Sequence, residues 1–201
     1  MSENRIKAVL LFAPVLIVVM LDQWSKHLIR TTPELHRNDI IEGVLAFHYT
    51  QNPGMAMGIS WADTWIISLI AIAATILISV YIYKVFSLAN RGFLLCMGLI
   101  LGGALGNITD RLTMARIENY GGVLDGHVID FIHFNLTIND FAVFPYIFNV
   151  ADIAISVAII SLLVFYKKLM PDQQESLDAE DTPESPSAKA KAPDSSTVES
   201  P

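Results

Sequence analysis

The sequence contains a single cysteine, Cys96, and lacks the residue patterns of several large enzyme classes. One cysteine cannot form an internal disulfide or a thiolate zinc site, and its apolar neighbours indicate a buried, unreactive side chain. No His-Glu-x-x-His string, Gly-x-Ser-x-Gly elbow, Walker loop or dinucleotide glycine pattern occurs. These absences argue against metalloproteases, serine hydrolases of the elbow type and nucleotide-driven pumps. We expect neither a metal nor a cofactor.

Basic residues are few, and no stripe of them suggests a nucleic-acid partner. The formal net charge of −7 is concentrated in residues 171–201, which hold eight acidic and two basic side chains. Five of the nine prolines also lie there, and the segment is too poor in apolar residues to form a core. We predict a disordered, acidic cytoplasmic tail after a membrane domain that covers residues 1–170.

Long apolar runs are abundant: 53% of the residues are hydrophobic and the mean hydropathy is +0.47. Four segments approach the ~20 residues that cross the hydrocarbon core of a bilayer. They cover residues 6–29, 64–86, 92–108 and 146–166. Polar residues from Asp22 to Lys26 stand where a secretory signal would have its small-residue cleavage site, so we expect a retained helix. The prediction is an all-α membrane bundle of four transmembrane helices.

Lysines and arginines near the helix ends indicate the orientation of the bundle. With four crossings, three basic groups fall on one side, the cytoplasm: Arg5 with Lys7, Lys84 with Arg91, and Lys167 with Lys168. Loops 30–63 and 109–145 then face outward, although they also contain arginines. Strand-forming stretches at 43–49 and 127–136, and a turn at Asn52-Pro53-Gly54, predict a small β-rich region on the outer side.

Two carboxylates occur where so apolar a chain should avoid them. Asp130 interrupts the string Val128-Ile129-Asp130-Phe131, and Asp152 directly precedes the apolar run 153–166. A charge at the mouth of a membrane segment is costly and marks a functional site by default. Asp152 could instead be a residue near the first turn of the last helix, where a negative charge interacts favourably with the helix dipole. This explanation accounts poorly for Asp130. Two carboxyls that meet can share a proton and perform acid–base chemistry on a peptide bond.

Further polar residues lie near the outer ends of the first and third helices. Asp22 and Lys26, four residues apart, can pair on one helix face, either as a boundary ion pair or as part of a site. Glycines at every fourth position of residues 98–106 predict a close-packing seam between helices. Three polar residues follow this seam, where they either end the helix or belong to a site: Asn107, Asp110 and Arg111.

Taken in order, these strings resemble the bacterial lipoprotein signal peptidases, also called signal peptidase II, a family of aspartic endopeptidases of the inner membrane. The matching strings are Asp22-Gln23-Trp24-Ser25-Lys26, Asn52-Pro53-Gly54-Met55-Ala56, Gly102-Gly103-Ala104-Leu105-Gly106-Asn107-Ile108-Thr109-Asp110-Arg111, Val128-Ile129-Asp130-Phe131 and Phe148-Asn149-Val150-Ala151-Asp152. Each string alone is weak evidence. Five of them in order, across about residues 8–168, are specific.

The resemblance implies a function and a set of site residues. Asp130 and Asp152 would be the catalytic pair. Residues that bind substrate or support the site would be Asp22, Lys26, Asn52, Gly54, Asn107, Asp110, Arg111 and Asn149. The substrate would be a prolipoprotein whose cysteine carries a diacylglyceryl group, and water would cut it just before that cysteine. The family further implies a monomer in contact with membrane lipid, with both termini cytoplasmic and its site at the outer face of the inner membrane.

One stretch departs from the resemblance. Residues 112–128 form a longer link than is usual in the family, and they include Asp125, a rival to Asp130 for the catalytic role. The flanking Val128, Ile129 and Phe131 favour Asp130. Two other functions stay open from the residues alone: a proton-coupled carrier or channel subunit, and a scaffold that uses its acidic tail. The clustering of polar residues at one membrane face and the lack of an inverted repeat argue against the carrier.

Overall fold

The computed structural model describes residues 2–54, 62–134, 137–138, 141–142 and 146–169. The helices are α1 (Glu3–Thr31), α2 (Thr64–Val85), α3 (Arg91–Ile117), α4 (Val150–Val164) and α5 (Tyr166–Leu169), with a 3₁₀ turn at Pro33–Leu35. The strands are β1 (Arg37–Ile41), β2 (Leu45–Asn52), β3 (Val128–Phe134), β4 (Thr137–Ile138), β5 (Phe141–Ala142) and β6 (Ile147–Phe148). The predicted tail at 171–201 lies outside the described residues, so its disorder stays a prediction.

Three helices, α1, α2 and α3, are long and apolar enough to cross a membrane. Helix α4 is apolar but has 15 residues, which at 1.5 Å each extend over about 22 Å. It ends at Val164, and α5 follows directly after Phe165. The chain is therefore mostly helical with three candidate membrane spans, and the fourth predicted crossing is not yet confirmed.

Helix α3 departs most from the prediction, which ended the third helix at residue 108. The helix continues to Ile117. Its polar side chains do not end it because they are directed into the protein: Asp110 is fully buried and Arg111 is 8% exposed. Polar groups in a membrane helix are tolerated where they face the interior of a bundle and find partners there. The prediction of an early end was wrong for that reason.

Helix α4 begins later than the prediction of residue 146. Asn149 is its N-cap: the Asn149 side-chain oxygen accepts from the backbone N–H of Asp152 at 3.0 Å. In return, Asp152 Oδ2 accepts from the backbone N–H of Asn149 at 3.2 Å. This capping box fixes the first turn of the helix. The two residues before it, Ile147–Phe148, belong to the sheet instead.

The predicted glycine seam is confirmed, since it lets α3 approach two helices closely. A Cβ atom at Gly102 would lie 2.8 Å from Val18 Cβ on α1. A Cβ atom at Gly103 would lie 2.5 Å from the backbone oxygen of Ala151 on α4. Helix α3 thus packs between α1 and α4, and no larger residue fits at these contacts.

An apolar cluster fills the space between α1, α2 and α3 at the end of the bundle that holds the N-terminus of α1. Its buried members are Leu11, Ile82, Ala89, Phe93, Leu94, Met97 and Leu101. Phe93 and Leu94 are at most 1% exposed. We refer to these seven residues as the apolar cluster.

The four-stranded antiparallel sheet has the strand order β1-β2-β3-β6. The predicted strands at 43–49 and 127–136 correspond to β2 and β3, whereas β1 and β6 were not predicted. Thr50 pairs with Asp130 and Asn52 pairs with Val128, after a register shift in β2. Ile132 pairs with Phe148, which directly precedes the N-cap of α4. The sheet thereby brings the end of β2 and the start of α4 to the same part of β3.

Candidate active site

Asp130 on β3 is held by amide side chains from two other elements. It is 3% exposed. Asn149 Nδ2 donates to Asp130 Oδ1 at 2.7 Å, and Asn52 Nδ2 donates to Asp130 Oδ2 at 3.1 Å. Each oxygen of this buried carboxyl therefore has an amide donor, which fixes its position without neutralising it.

The surroundings of Asp130 favour its protonated form. Burial raises the pKa of the Asp130 carboxyl to about 7, and the negative charge of Asp152 acts in the same direction. The hydrogen bonds from Asn52 and Asn149, and the positive charge of Lys26, oppose this rise. A carboxyl that titrates near neutral pH can hold a proton and donate it to a substrate oxygen.

Asp152 lies in the first turn of α4 and is half-buried. Asn107 Nδ2 on α3 donates to Asp152 Oδ1 at 2.9 Å, while Asp152 Oδ2 accepts the backbone N–H of Asn149. Asn149 therefore contacts both aspartates, one through its main chain and the other through its side-chain amide. This shared residue brings the two carboxyls into one site.

A buried ionic cluster lies beside this pair. Lys26 Nζ is 2.8 Å from Asp22 Oδ2 and 2.9 Å from Asp110 Oδ2. It also donates to Asn107 Oδ1 at 2.9 Å, so the three N–H donors of the ammonium group each have an acceptor. Asp22, Lys26 and Asp110 are at most 1% exposed. Charges so deeply buried are tolerated only with such complete partners.

The two acids of this cluster hold the backbone next to the pair. Asp22 Oδ1 accepts from the backbone N–H of Ala151 at 3.0 Å, and Asp110 Oδ2 accepts from that of Ile129 at 3.1 Å. Each of these N–H groups belongs to the residue that directly precedes one aspartate of the pair. The cluster thus ties α1 and α3 to the backbone of both β3 and α4.

Gln23 belongs to the site although the sequence did not single it out. Its Nε2 donates to Asp110 Oδ1 at 2.9 Å and to the backbone oxygen of Gly106 at 3.1 Å. No spacing rule marks a glutamine beside Asp22. Its position in a polar string at the end of an apolar helix was the available indication.

Arg111 and Gly54 complete the surroundings of Asp130. The charge of Arg111 interacts with Asp130 and Asp110, and its buried Nη1 has no hydrogen-bond partner among the described residues. The backbone N–H of Gly54 donates to Asn52 Oδ1 at 2.8 Å, which leaves the Asn52 amide nitrogen to face Asp130. Gly54 has φ of 120°, a conformation that side chains disfavour.

Asp125, the predicted rival, has a local structural role. Its Oδ2 accepts the backbone N–H of Gly122 at 2.9 Å within the loop after α3. Among the described residues, neither Asp130 nor Asp152 is a hydrogen-bond partner of Asp125. The geometry therefore favours Asp130 as the partner of Asp152.

The structure brings most predicted site residues together. Those with hydrogen bonds or ion pairs in one continuous network are Asp22, Lys26, Asn52, Asn107, Asp110, Asp130, Asn149 and Asp152. Gly54 joins through Asn52, and Arg111 joins through its charge. Within the part of the chain that the structure describes, no group of three or more His, Cys, Asp or Glu side chains is placed to hold a metal ion.

Known proteins are similar to this chain in sequence and in fold. Residues 14–168 match the family model described as signal peptidase (SPase) II. The chain belongs to the signal peptidase II family. The resemblance noted from the five strings is thereby confirmed, and the chain is a peptidase of a membrane-protein family. Nothing in these comparisons supports a carrier or channel.

Curated members of the signal peptidase II family cover most of the chain. The lipoprotein signal peptidase of Chlorobium phaeobacteroides (strain BS1) is 34% identical over 166 residues, which are 79% of this chain and 96% of that protein. The one from Streptomyces coelicolor is 37% identical over 173 residues, 85% of this chain and 77% of its own. A solved structure described as a bacterial membrane enzyme has a TM-score of 0.58 and 28% identity, covering 78% of this chain and 91% of that one.

Proposed function

We propose that this chain is an aspartic endopeptidase that removes signal peptides from diacylglyceryl-modified bacterial prolipoproteins, with Asp130 and Asp152 as the catalytic pair. Asn149 is the observation that carries this proposal, because it contacts both carboxyls and holds them in one site. The curated relatives bear the name lipoprotein signal peptidase, which supports the substrate class.

The two carboxyls take different roles because their partners differ. Asp130 holds the proton of the pair, consistent with a pKa of about 7, and Asp152 takes the role of the base. Asp152 removes a proton from water, and the oxygen of that water attacks the scissile carbonyl while Asp130 donates its proton to the carbonyl oxygen. A tetrahedral diol forms. As it collapses, Asp152 gives its proton to the leaving nitrogen, the C–N bond breaks, and the diol returns a proton to Asp130.

Arg111 supplies a donor for the substrate. Arg111 interacts with the charge of Asp130, and its buried Nη1 has no hydrogen-bond partner among the described residues. A peptide carbonyl is a natural acceptor for an N–H group of a guanidinium. Arg111 therefore positions the substrate backbone across the pair, and water or substrate satisfies its buried nitrogen.

An apolar groove of about 410 Å³ begins at Asp152 and follows α4. It is lined by Phe134, Phe148, Asp152, Ile153, Ser156, Val157 and Ile160. Because one end of the groove is a catalytic carboxyl, an acyl chain or apolar peptide segment in it would place the scissile bond at the pair. A lipid-modified substrate fits such a groove better than a soluble peptide does.

The proposed placement puts α4 across the membrane as the fourth span, with both termini cytoplasmic and the pair at the outer face of the inner membrane. The basic residues near the helix ends support this orientation. The outer face is also where a lipid-anchored cysteine would hold its substrate. We further propose a monomer whose residues 171–201 contribute little to activity.

The test is cleavage of a diacylglyceryl prolipoprotein by purified variants. Asp130→Asn and Asp152→Asn each remove one member of the pair with little change in shape, and we expect each to abolish cleavage while the protein still inserts in the membrane. Asp125→Asn is the matched control, since it makes the same change in the neighbouring loop and should leave cleavage near the wild-type rate. Cleavage retained by either dyad variant would contradict the assignment.

A further inference from the structure

Asn107 stands between the buried ammonium group of Lys26 and the carboxylate of Asp152. Its Oδ1 accepts from Lys26 Nζ at 2.9 Å, and its Nδ2 donates to Asp152 Oδ1 at 2.9 Å. An asparagine amide has an acceptor end and a donor end, and rotation by half a turn exchanges them. Which end meets Asp152 therefore depends on what holds the other end.

Lys26 can hold the oxygen end because Lys26 itself cannot move. Asp22 and Asp110 accept its other two N–H groups, and both are tied in turn to the backbone of α4 and β3. An ammonium group has donors only, so it cannot bind the amide nitrogen of Asn107. The reversed amide would set an N–H group against Lys26 and an oxygen against a carboxylate.

The second contact to Asn107 is weaker. Asn149 Nδ2 also donates to Asn107 Oδ1, at 3.2 Å. Its two hydrogens are shared among three acceptors, and the shortest distance is the 2.7 Å to Asp130 Oδ1. The amide of Asn149 is oriented by the capping box of α4, whereas the amide of Asn107 depends chiefly on a charged side chain.

We propose that Lys26 is a positioning residue that sets the orientation of the Asn107 amide, so that Asn107 presents an N–H group to Asp152 and supports this carboxylate in its role as the base that activates water. The inference rests on the proposed function, since it explains how Asp152 is held in position to act as the base of the pair. Among the described residues Lys26 has no hydrogen bond to Asp130 or Asp152, so it acts through Asn107.

The charged groups of the network that contains Asp152 come from three elements. They are Asp22 and Lys26 on α1, Asp110 and Arg111 on α3, and Asp130 on β3. Of these groups, Asp130 interacts with Asp152 through its charge, and two nearby carboxyls disfavour each other's charge. The N–H donor from Asn107 acts against this repulsion, because a hydrogen bond to the charged form favours that form. Loss of the donor should therefore move the acid limb of the pH–rate profile upward.

The test compares pH profiles of kcat/KM for the full-length protein on a diacylglyceryl prolipoprotein. The variants are Lys26→Met, Asn107→Leu and the double variant, with Lys84→Met as the control at an exposed position at the end of α2. We expect Lys26→Met and Asn107→Leu each to lower kcat/KM about tenfold or more at neutral pH and to move its acid limb up by about one pH unit. The control should match the wild type.

The double variant separates positioning from independent support. If Lys26 acts through Asn107, the double variant should be little worse than Asn107→Leu alone. Additive losses, or losses at all pH values with an unmoved acid limb, would overturn the inference. Should Lys26→Met fail to fold, Asn107→Leu decides by itself, because an unmoved acid limb in that variant removes the link to Asp152.

Failure of this inference can be told apart from failure of the proposed function. If the dyad variants Asp130→Asn and Asp152→Asn are inactive while the pH profile of Asn107→Leu equals the wild type, only the role of Lys26 is wrong. If a dyad variant still cleaves the substrate, the catalytic assignment itself is wrong.

Discussion

The two halves of α1 and α3 differ in what they bury. Near the N-terminal ends of both helices the buried contacts are apolar, as in the apolar cluster that includes Leu11 and Leu94. Toward their C-terminal ends the same two helices bury Asp22, Lys26 and Asp110. One continuous seam of glycines runs through both halves, so the helices pack closely in each. Only the C-terminal half contains buried charged side chains.

The difference shows how a membrane helix can carry charge. In the apolar half each side chain packs against several others, and the loss of one removes only its own contacts. In the polar half the side chains form one network of hydrogen bonds and ion pairs. The loss of one side chain therefore leaves a buried charge without a partner. Stability and catalysis are therefore separable in the first half and coupled in the second.

The largest effect should come from breaking the polar half at Asp110. Asp110→Ala leaves Lys26 without one acceptor and the backbone N–H of Ile129 without its carboxylate acceptor, and it removes one acceptor of the Gln23 amide. We expect a loss of about 3–5 kcal/mol in the free energy of unfolding and no detectable cleavage. Unfolding in detergent and the cleavage assay measure the two effects.

The matched control for Asp110→Ala is Arg91→Gln, which breaks the exposed ion pair between Arg91 and Glu3. Solvent compensates such a pair, so stability and cleavage should stay at wild-type values. Equal losses in the two variants would mean that burial does not distinguish these ion pairs.

A smaller and more selective effect should follow from a cavity in the apolar half. Phe93 is 1% exposed in the apolar cluster, and Phe93→Ala should cost about 3–4 kcal/mol of stability. Because no catalytic group contacts this cluster, kcat per folded molecule should remain unchanged. A drop in kcat for the folded fraction, measured after removal of unfolded protein, would show that the two halves are coupled after all.

The mildest perturbation is pH, which should act on the polar half through Asp130. The folded pKa of Asp130 is about 7, above the unfolded value, so the native state holds this proton more tightly. Its contribution to stability is therefore present at low pH and is lost as pH rises from about 4 to 7. Cleavage should fall above about pH 7, as Asp130 loses the proton that it donates. In Asp152→Asn the pKa of Asp130 should be lower, which carbon NMR of the labelled carboxyl can measure.

Local pattern in the sequence was enough to predict much of this protein. Apolar runs predicted helices close to the observed α1 and α2, because helices in lipid depend on continuous hydrophobicity more than on specific partners. The alternation at 127–136 predicted β3, and isolated polar residues in apolar surroundings identified the candidate site. Isolated charges are informative because lipid makes them costly unless they have a function.

Only the tertiary structure decided how those residues are connected. Asp22 binds the backbone of Ala151, 129 positions away, and no periodicity in the sequence reports such a contact. The extension of α3 to Ile117 and the late start of α4 follow from partners on other elements. The strings of residues determined which chemistry is available. Packing decided which carboxyl receives which donor, because a hydrogen bond between distant residues depends on the fold that brings them together.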